Sequence, residues 1–308
     1  MKILFVNTRE KACGVHQYGE SLHYVIRHHI ASSEHTIAAG SFDNRDEFFS
    51  CAAALRPDVI LYNWQAGIGG WMSQAPFDLN AKQVLVYHDL EANFAQFDAI
   101  LFSDPTMAPH GNWHPIGRPL RNQISTMTRI SEVATIGING FIGAWAKVAF
   151  SHIANHFDRA HIRMHLPYAT YGDAQGHMAH NAARECHAAL PEGFTMEVSH
   201  EFMEWDDMVL SLAKNDINCY IRDPAMHWRG VSSACDAAMC ARKPIAVNSC
   251  DAFRHLHDCS PSIRVEDRTI PQIIQTGLSP LVKKYAEYAP DVVGGQVMKV
   301  LESLVNKA

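Results

Sequence analysis

The chain has 308 residues, 47% of them hydrophobic and 19% charged, with a net charge of −6. That length exceeds one ordinary core and fits two domains of about 150 residues in a soluble globular protein. The acidic balance speaks against a broad nucleic-acid surface, and no apolar run approaches the roughly 18–20 residues that span a bilayer, which leaves at most peripheral membrane contact.

The first residues, MKILFVNTRE, hold one short apolar segment and read as a strand rather than a signal peptide. Eight cysteines are scattered without a C-x-x-C pair, the usage of reduced thiols in a cytoplasmic protein. Among 19 histidines, His28-His29 and His255-Leu256-His257 lack the spacing of a metal site and read as surface or capping residues.

In chain order, Lys2–Asn7 is a strand and Thr8–Gly14 a polar loop. A helix begins near His16, with Tyr18, Leu22, Val25 and Ile26 at three- and four-residue steps. Cys13-Gly14-Val15 sits at this first strand-to-helix turn, where a glycine serves either a tight turn or close backbone approach to a ligand. His35–Ala39 and Val59–Asn63 are further strands, and Gln65–Gly70 is a glycine-rich loop that lacks the Gly-Lys-Ser/Thr of a P-loop. Gln83–Val86 leads straight into Tyr87-His88-Asp89. A His-Asp pair at a buried strand's carboxyl end lies where an open α/β sheet keeps its ligand crevice; the plainer reading of His88 is a strand-end histidine bonded to backbone. Asp98–Ser103 is the next strand, and His114–Leu120 is a turn-rich exit that places a domain crossing between Arg118 and Ser131.

The second half restarts with the strand Glu132–Ile138 and the loop Asn139–Gly143, followed by a helix burying Val148, Phe150, Ile153 and Phe157. His161–Leu166 and Phe194–Val198 are strands, Gly172–His180 reads as loop, and helices are expected around Asn181–Ala189 and Glu204–Ala213. Asp216–Ile221 is a short buried strand. A loop ending in Arg229-Gly230 follows, then a serine-capped helix over Ser233–Ala241 and the strand IAV after Pro244. This is a βαβ unit whose helix start offers unpaired N–H groups to a phosphate, or is simply a capped helix. Asp206-Asp207 lies in a helix, and no Asp-x-Asp stands at a strand end to hold a metal. Ser279–Tyr288 and Val292–Val305 are the last helices.

Gly230, Ser232, Ala238-Met239 and Pro244 resemble the donor-site unit Glu-Gly-x-(Gly/Ser)-x4-Glu-Ala-x5-Pro of the large retaining family of GT-B nucleotide-sugar glycosyltransferases. Laid on without a gap, the unit departs at both glutamates: Arg229 and Ala237 stand there, with Asp236 beside the second. The resemblance implies an α/β chain of two Rossmann-like domains facing across a cleft: an acceptor domain over 1–125, a donor domain over 126–278, and helices over 279–308 returning to the first. It implies catalytic roles for His88 and Asp89. It implies donor contacts at Gly14, Val15, Gly140, Phe141, Lys147, Phe202, Met203, Arg222, Arg229, Gly230, Val231, Ser232, Ser233 and Asp236, the last in place of the ribose-holding glutamate. The activity implied is sugar transfer from a nucleoside-diphosphate sugar to a hydroxyl acceptor, retaining, with neither metal nor cofactor. A 2-epimerase of the same fold and a non-catalytic nucleotide or sugar binder are the alternatives.

Overall fold

The structure is a computed structural model and describes residues 1–65, 70–88, 96–121, 123–124, 132–141, 143–169, 172–225 and 230–306. The chain divides into two compact units. One comprises Met1–Lys11, Val15–Arg121 and Ala286–Ala308; the other comprises Ala12–Gly14 and Asn122–Tyr285. The expected domain crossing falls largely on residues 122 and 125–131, which lie outside the described residues.

The first unit is built on strands β1 (Lys2–Val6), β2 (Thr36–Gly40), β3 (Val59–Asn63), β4 (Lys82–Tyr87), β5 (Ala99–Phe102) and β6 (Trp113–Pro115), all parallel, in the order β2-β1-β3-β4-β5-β6. Their apolar runs are continuous because both faces are covered. Alternation sends Ile3, Phe5, Val59, Leu61, Val84 and Val86 to one face. There α1 (Gly14–Ile30) contributes Tyr18, Leu22, Val25 and Ile26, and α9 (Pro290–Val305) contributes Val293, Val297, Met298 and Leu301. The opposite face, with Leu4, Val6, Ile60, Tyr62, Leu85 and Tyr87, packs against α2 (Arg45–Leu55) and an aromatic group that includes Phe48, Trp71 and Phe77. Helix α2 has no counterpart in the sequence reading. Asn44 starts it, its side chain accepting from the Glu47 N–H, and Arg56 ends it in the left-handed region at φ 47°.

The second unit carries β7 (Ala134–Asn139), β8 (Ala160–His165), β9 (Phe194–Ser199), β10 (Ile217–Tyr220) and β11 (Ile245–Val247), parallel, in the order β11-β10-β7-β8-β9. Its helices are α3 (Ala146–His156), α4 (His177–Ala188), α5 (Trp205–Leu212), α6 (Ala234–Cys240) and α7 (Ile270–Thr276); α8 (Val282–Glu287) follows 3₁₀ turn Ser279–Leu281 and crosses from this unit into the first. Helix α4 starts inside the stretch expected to be loop. Asp173 accepts from the backbone N–H groups of Met178 and Ala179 and so anchors the helix start from four residues upstream. From Cys235 to Cys240 every residue of α6 is buried, which suits its small side chains. Among the described residues no helix is long and apolar enough to cross a membrane.

Candidate functional site

In the second sheet the chain starts at β7, runs outward through β8 to β9, and returns to β10 on the other side of β7. The carboxyl ends of β7 and β10 therefore flank the point where strand order reverses, where open α/β sheets bind ligands. Two residues past β10, the Arg222 guanidinium lies 5.5 Å from the Trp145 ring centre and 5.7 Å from that of Phe253. Its Nη2 donates to Ser232 Oγ at 3.3 Å. Asn248, just past β11, grips the Arg222 backbone from both sides. Its Oδ1 accepts from the Arg222 N–H at 3.3 Å, and its Nδ2 donates to the Arg222 carbonyl at 2.6 Å. Trp145 reaches this position because Gly140, at φ +149°, has no Cβ to collide with the indole. The indole N–H then donates to the Phe141 carbonyl at 3.3 Å. A planar cation held between two rings and half-buried is suited to a phosphate, which it can meet with two parallel N–H donors.

Below it, the Tyr220 hydroxyl donates to Asn139 Oδ1. Burial, chiefly, pushes that hydroxyl's pKa well above its ordinary value, so it stays a donor. At the carboxyl end of β8, His165 is 7% exposed. Its Nδ1 lies 2.8 Å from Ser199 Oγ, and burial, then His200 and Arg163, lower its pKa to about 4.

The first unit has its reversal between β1 and β3. Here Asn7, Asn63 and His88 form a chain of side-chain hydrogen bonds. Asn63 Nδ2 donates to Asn7 Oδ1 at 2.7 Å and to the Val15 carbonyl at 2.8 Å, and Asn63 Oδ1 lies 2.8 Å from His88 Nε2. Asn7 Nδ2 donates to Glu20 at 2.8 Å. Gly19 makes room for both amides, since a Cβ there would collide with Asn63 Nδ2 and Asn7 Oδ1. The Tyr18 ring meets His88 edge-on at 4.8 Å and carries the buried Arg118 guanidinium 4.6 Å above its own centre. Although half-exposed by area, the imidazole is closely ringed by protein, and burial, then Arg118, lower its pKa to about 3.

Of the residues expected at the site, Arg222, Ser232, Gly140 and Phe141 come together around Trp145. The expected serine-capped helix start is corrected in three respects. Helix α6 begins at Ala234 and is seven residues long; Ser233 makes no side-chain cap; and the Ser232 N–H already donates to the Ala252 carbonyl at 2.8 Å. Gly230 and Val231 lead into this turn, half-buried. Asp236 is 2% exposed within α6, where its charge helps to raise the pKa of Tyr220. Lys147 stands exposed on α3 with its ammonium on Glu185 of α4, where the resemblance implied a phosphate contact. Phe202 and Met203 are half-buried ahead of α5. Gly14 opens α1, and the Val15 carbonyl is taken by Asn63. Asp89 and Arg229 lie outside the described residues. Sequence reasoning missed Trp145, Asn248, Asn7 and Asn63. One signal was present, because four apolar strands run directly into asparagine, at Asn7, Asn63, Asn139 and Asn248. No group of three or more His, Cys, Asp or Glu able to hold a metal occurs among the described residues.

No protein-family model matches the chain, and no curated protein matches it. Solved structures do. Anabaena Alr3699/HepE in complex with UDP-glucose is 12% identical at a TM-score of 0.59, over 100% of this chain and 99% of that one. A trehalose-6-phosphate synthase, OtsA, is 10% identical at 0.58, over 100% and 98%. A second OtsA structure, without ligand, is 9% identical at 0.61, over 99% and 98%. The likeness runs the full length of both units, and the chain has the GT-B fold of two Rossmann-like domains.

Proposed function

We propose that this protein is a glycosyltransferase that moves a sugar from a nucleoside-diphosphate sugar to a hydroxyl acceptor. One observation carries the reading: Arg222, fixed between Trp145 and Phe253 at the strand-order reversal of the second sheet. In such a reaction the leaving group is a nucleoside diphosphate, and the barrier falls if positive charge already stands where phosphate charge grows. Arg222 supplies that charge without reorganisation, because Asn248 pins its backbone and Ser232 its guanidinium. HepE, of the same fold, is known with UDP-glucose bound, which supports a sugar nucleotide as ligand. His88 and Asp89 are proposed to act on the sugar or acceptor hydroxyl, and retention of configuration without a metal is proposed from the resemblance.

The test is incubation of the full chain with UDP-glucose and a panel of GDP, ADP and dTDP sugars, with and without sugar and lipid-linked acceptors, in chelator. Acceptor-dependent release of nucleoside diphosphate is the expected result. Epimerised sugar nucleotide, or binding without turnover across the panel, would replace this reading with the isomerase or the binding-only one.

A further inference from the structure

The hydrogen bonds around Asn63 decide which nitrogen of His88 carries a proton. A backbone carbonyl can only accept, so the Asn63 atom 2.8 Å from the Val15 carbonyl is the amide nitrogen. The same nitrogen lies 2.7 Å from Asn7 Oδ1. The Asn7 amide is oriented in turn by the His16 carbonyl, 3.3 Å from its nitrogen, and by the Thr8 N–H, 3.0 Å from its oxygen. With its nitrogen so committed, Asn63 turns its oxygen to His88 Nε2 at 2.8 Å. That oxygen can only accept, so Nε2 is the N–H. The ring is neutral, because burial and then Arg118 lower its proton affinity. A neutral imidazole with its proton on Nε2 has a bare lone pair on Nδ1, and among the described residues Nδ1 has no hydrogen-bond partner. The edge-on Tyr18 ring fixes the imidazole plane.

We propose that Asn63 is a positioning residue that locks His88 as the Nε2–H tautomer, so that His88 meets a ligand hydroxyl as a hydrogen-bond acceptor through Nδ1. The identity of that hydroxyl, on donor sugar or acceptor, rests on the transferase reading; the tautomer is a property of the resting protein.

Long-range ¹H–¹⁵N spectra of the full chain labelled with ¹⁵N-histidine test this directly, with the His88 signals assigned by their loss in His88→Gln. At pH 7 the wild type is expected to show a protonated Nε2 and a bare Nδ1. Asn63→Asp, which keeps an acceptor oxygen, should retain the proton on Nε2. Asn63→Leu, of similar volume without an acceptor, should mix the two tautomers. A wild-type His88 protonated on Nδ1, or an unchanged pattern in Asn63→Leu, overturns the inference, and the first of these needs no variant to fold. In turnover of UDP-glucose, Asn63→Leu should lower kcat by about tenfold or more, within the range one positioned acid or base supplies, with KM for the donor within about threefold. The expected spectra in a chain that turns over no sugar nucleotide would overturn the transferase reading and leave Asn63 as the residue that sets the tautomer.

Discussion

Replacing Arg222 by methionine removes the cation and keeps an unbranched side chain against Trp145 and Phe253. If a diphosphate rests on this guanidinium, each charge-assisted hydrogen bond lost costs about 1.5–3 kcal/mol, and a planar fork can offer two. Bonds made by one group are not additive, so the total is about 2–4 kcal/mol, or roughly 30- to 700-fold in Kd. Arg222→Lys keeps the charge but loses the fork and weakens the two ring contacts, worth about 0.5–1 kcal/mol each at a half-exposed site, and should fall between. In the free protein the substitution removes the 3.3 Å bond to Ser232 and those ring contacts, among other interactions of the guanidinium, and thermal melting measures that cost separately from binding. Calorimetric titration with UDP at low and high ionic strength measures the loss, with GDP and ADP in parallel; the difference between arginine and methionine should shrink as salt screens the site. If Arg222→Met binds all three nucleotides within about threefold of wild type while its melting temperature is unchanged, the phosphate site is refuted.

Three further outcomes are expected. Lys147→Ala should leave nucleotide affinity within about twofold and stability within about 1 kcal/mol, because its exposed pair with Glu185 contributes little; a tenfold loss of UDP binding would return Lys147 to the site. Gly19→Ala should destabilise the first unit by about 1–3 kcal/mol in urea unfolding, since the added methyl must push apart Asn7 and Asn63; a neutral substitution would mean that these amides move freely. The pKa of His165 falls from the ordinary 6.5 to about 4, so between those values the unfolded chain binds a proton that the folded one refuses. Stability present at pH 7 is then lost as pH falls through that window, by up to about 1.4 kcal/mol per pH unit. His165→Gln should flatten the profile accordingly, and equal slopes in variant and wild type would contradict the assignment.

The strands other than β6 were legible because their apolar runs are short, β-branched and bounded by polar residues, as KILFV and VILYN show; β6, three residues ending in Pro115, was read as part of a turn-rich exit. Helix α1 was legible from the stripe of Tyr18, Leu22, Val25 and Ile26. Helix α2 was not, because DEFFSCAAAL places its aromatic pair in adjacent positions and its start signal, Asn44 with Glu47, precedes no clean stripe. The start of α4 escaped because its anchor, Asp173, lies upstream of the usual cap position. In the site, Arg222 could be named from its place after a buried strand, but its two aromatic flanks come from Trp145 and Phe253, far apart in sequence. The serine pair read as a cap from spacing alone, and the Ser232 N–H proved to be bonded to Ala252, a partner that only tertiary structure supplies.

Helix α9 completes the apolar face of the first unit, although it follows the whole second unit in the chain. Val293, Val297, Met298 and Leu301 fill the same layer as Leu22, Val25 and Ile26. During synthesis, therefore, the unit whose first strands leave the ribosome earliest is the last to close. Until residues 290–305 have been made, the layer over β1 and β3 lacks α9 and stays open to chaperones and proteases. Ribosome-bound chains stalled before residue 290 should accordingly be cut in the first unit and spared in the second, an order of maturation opposite to the order of translation.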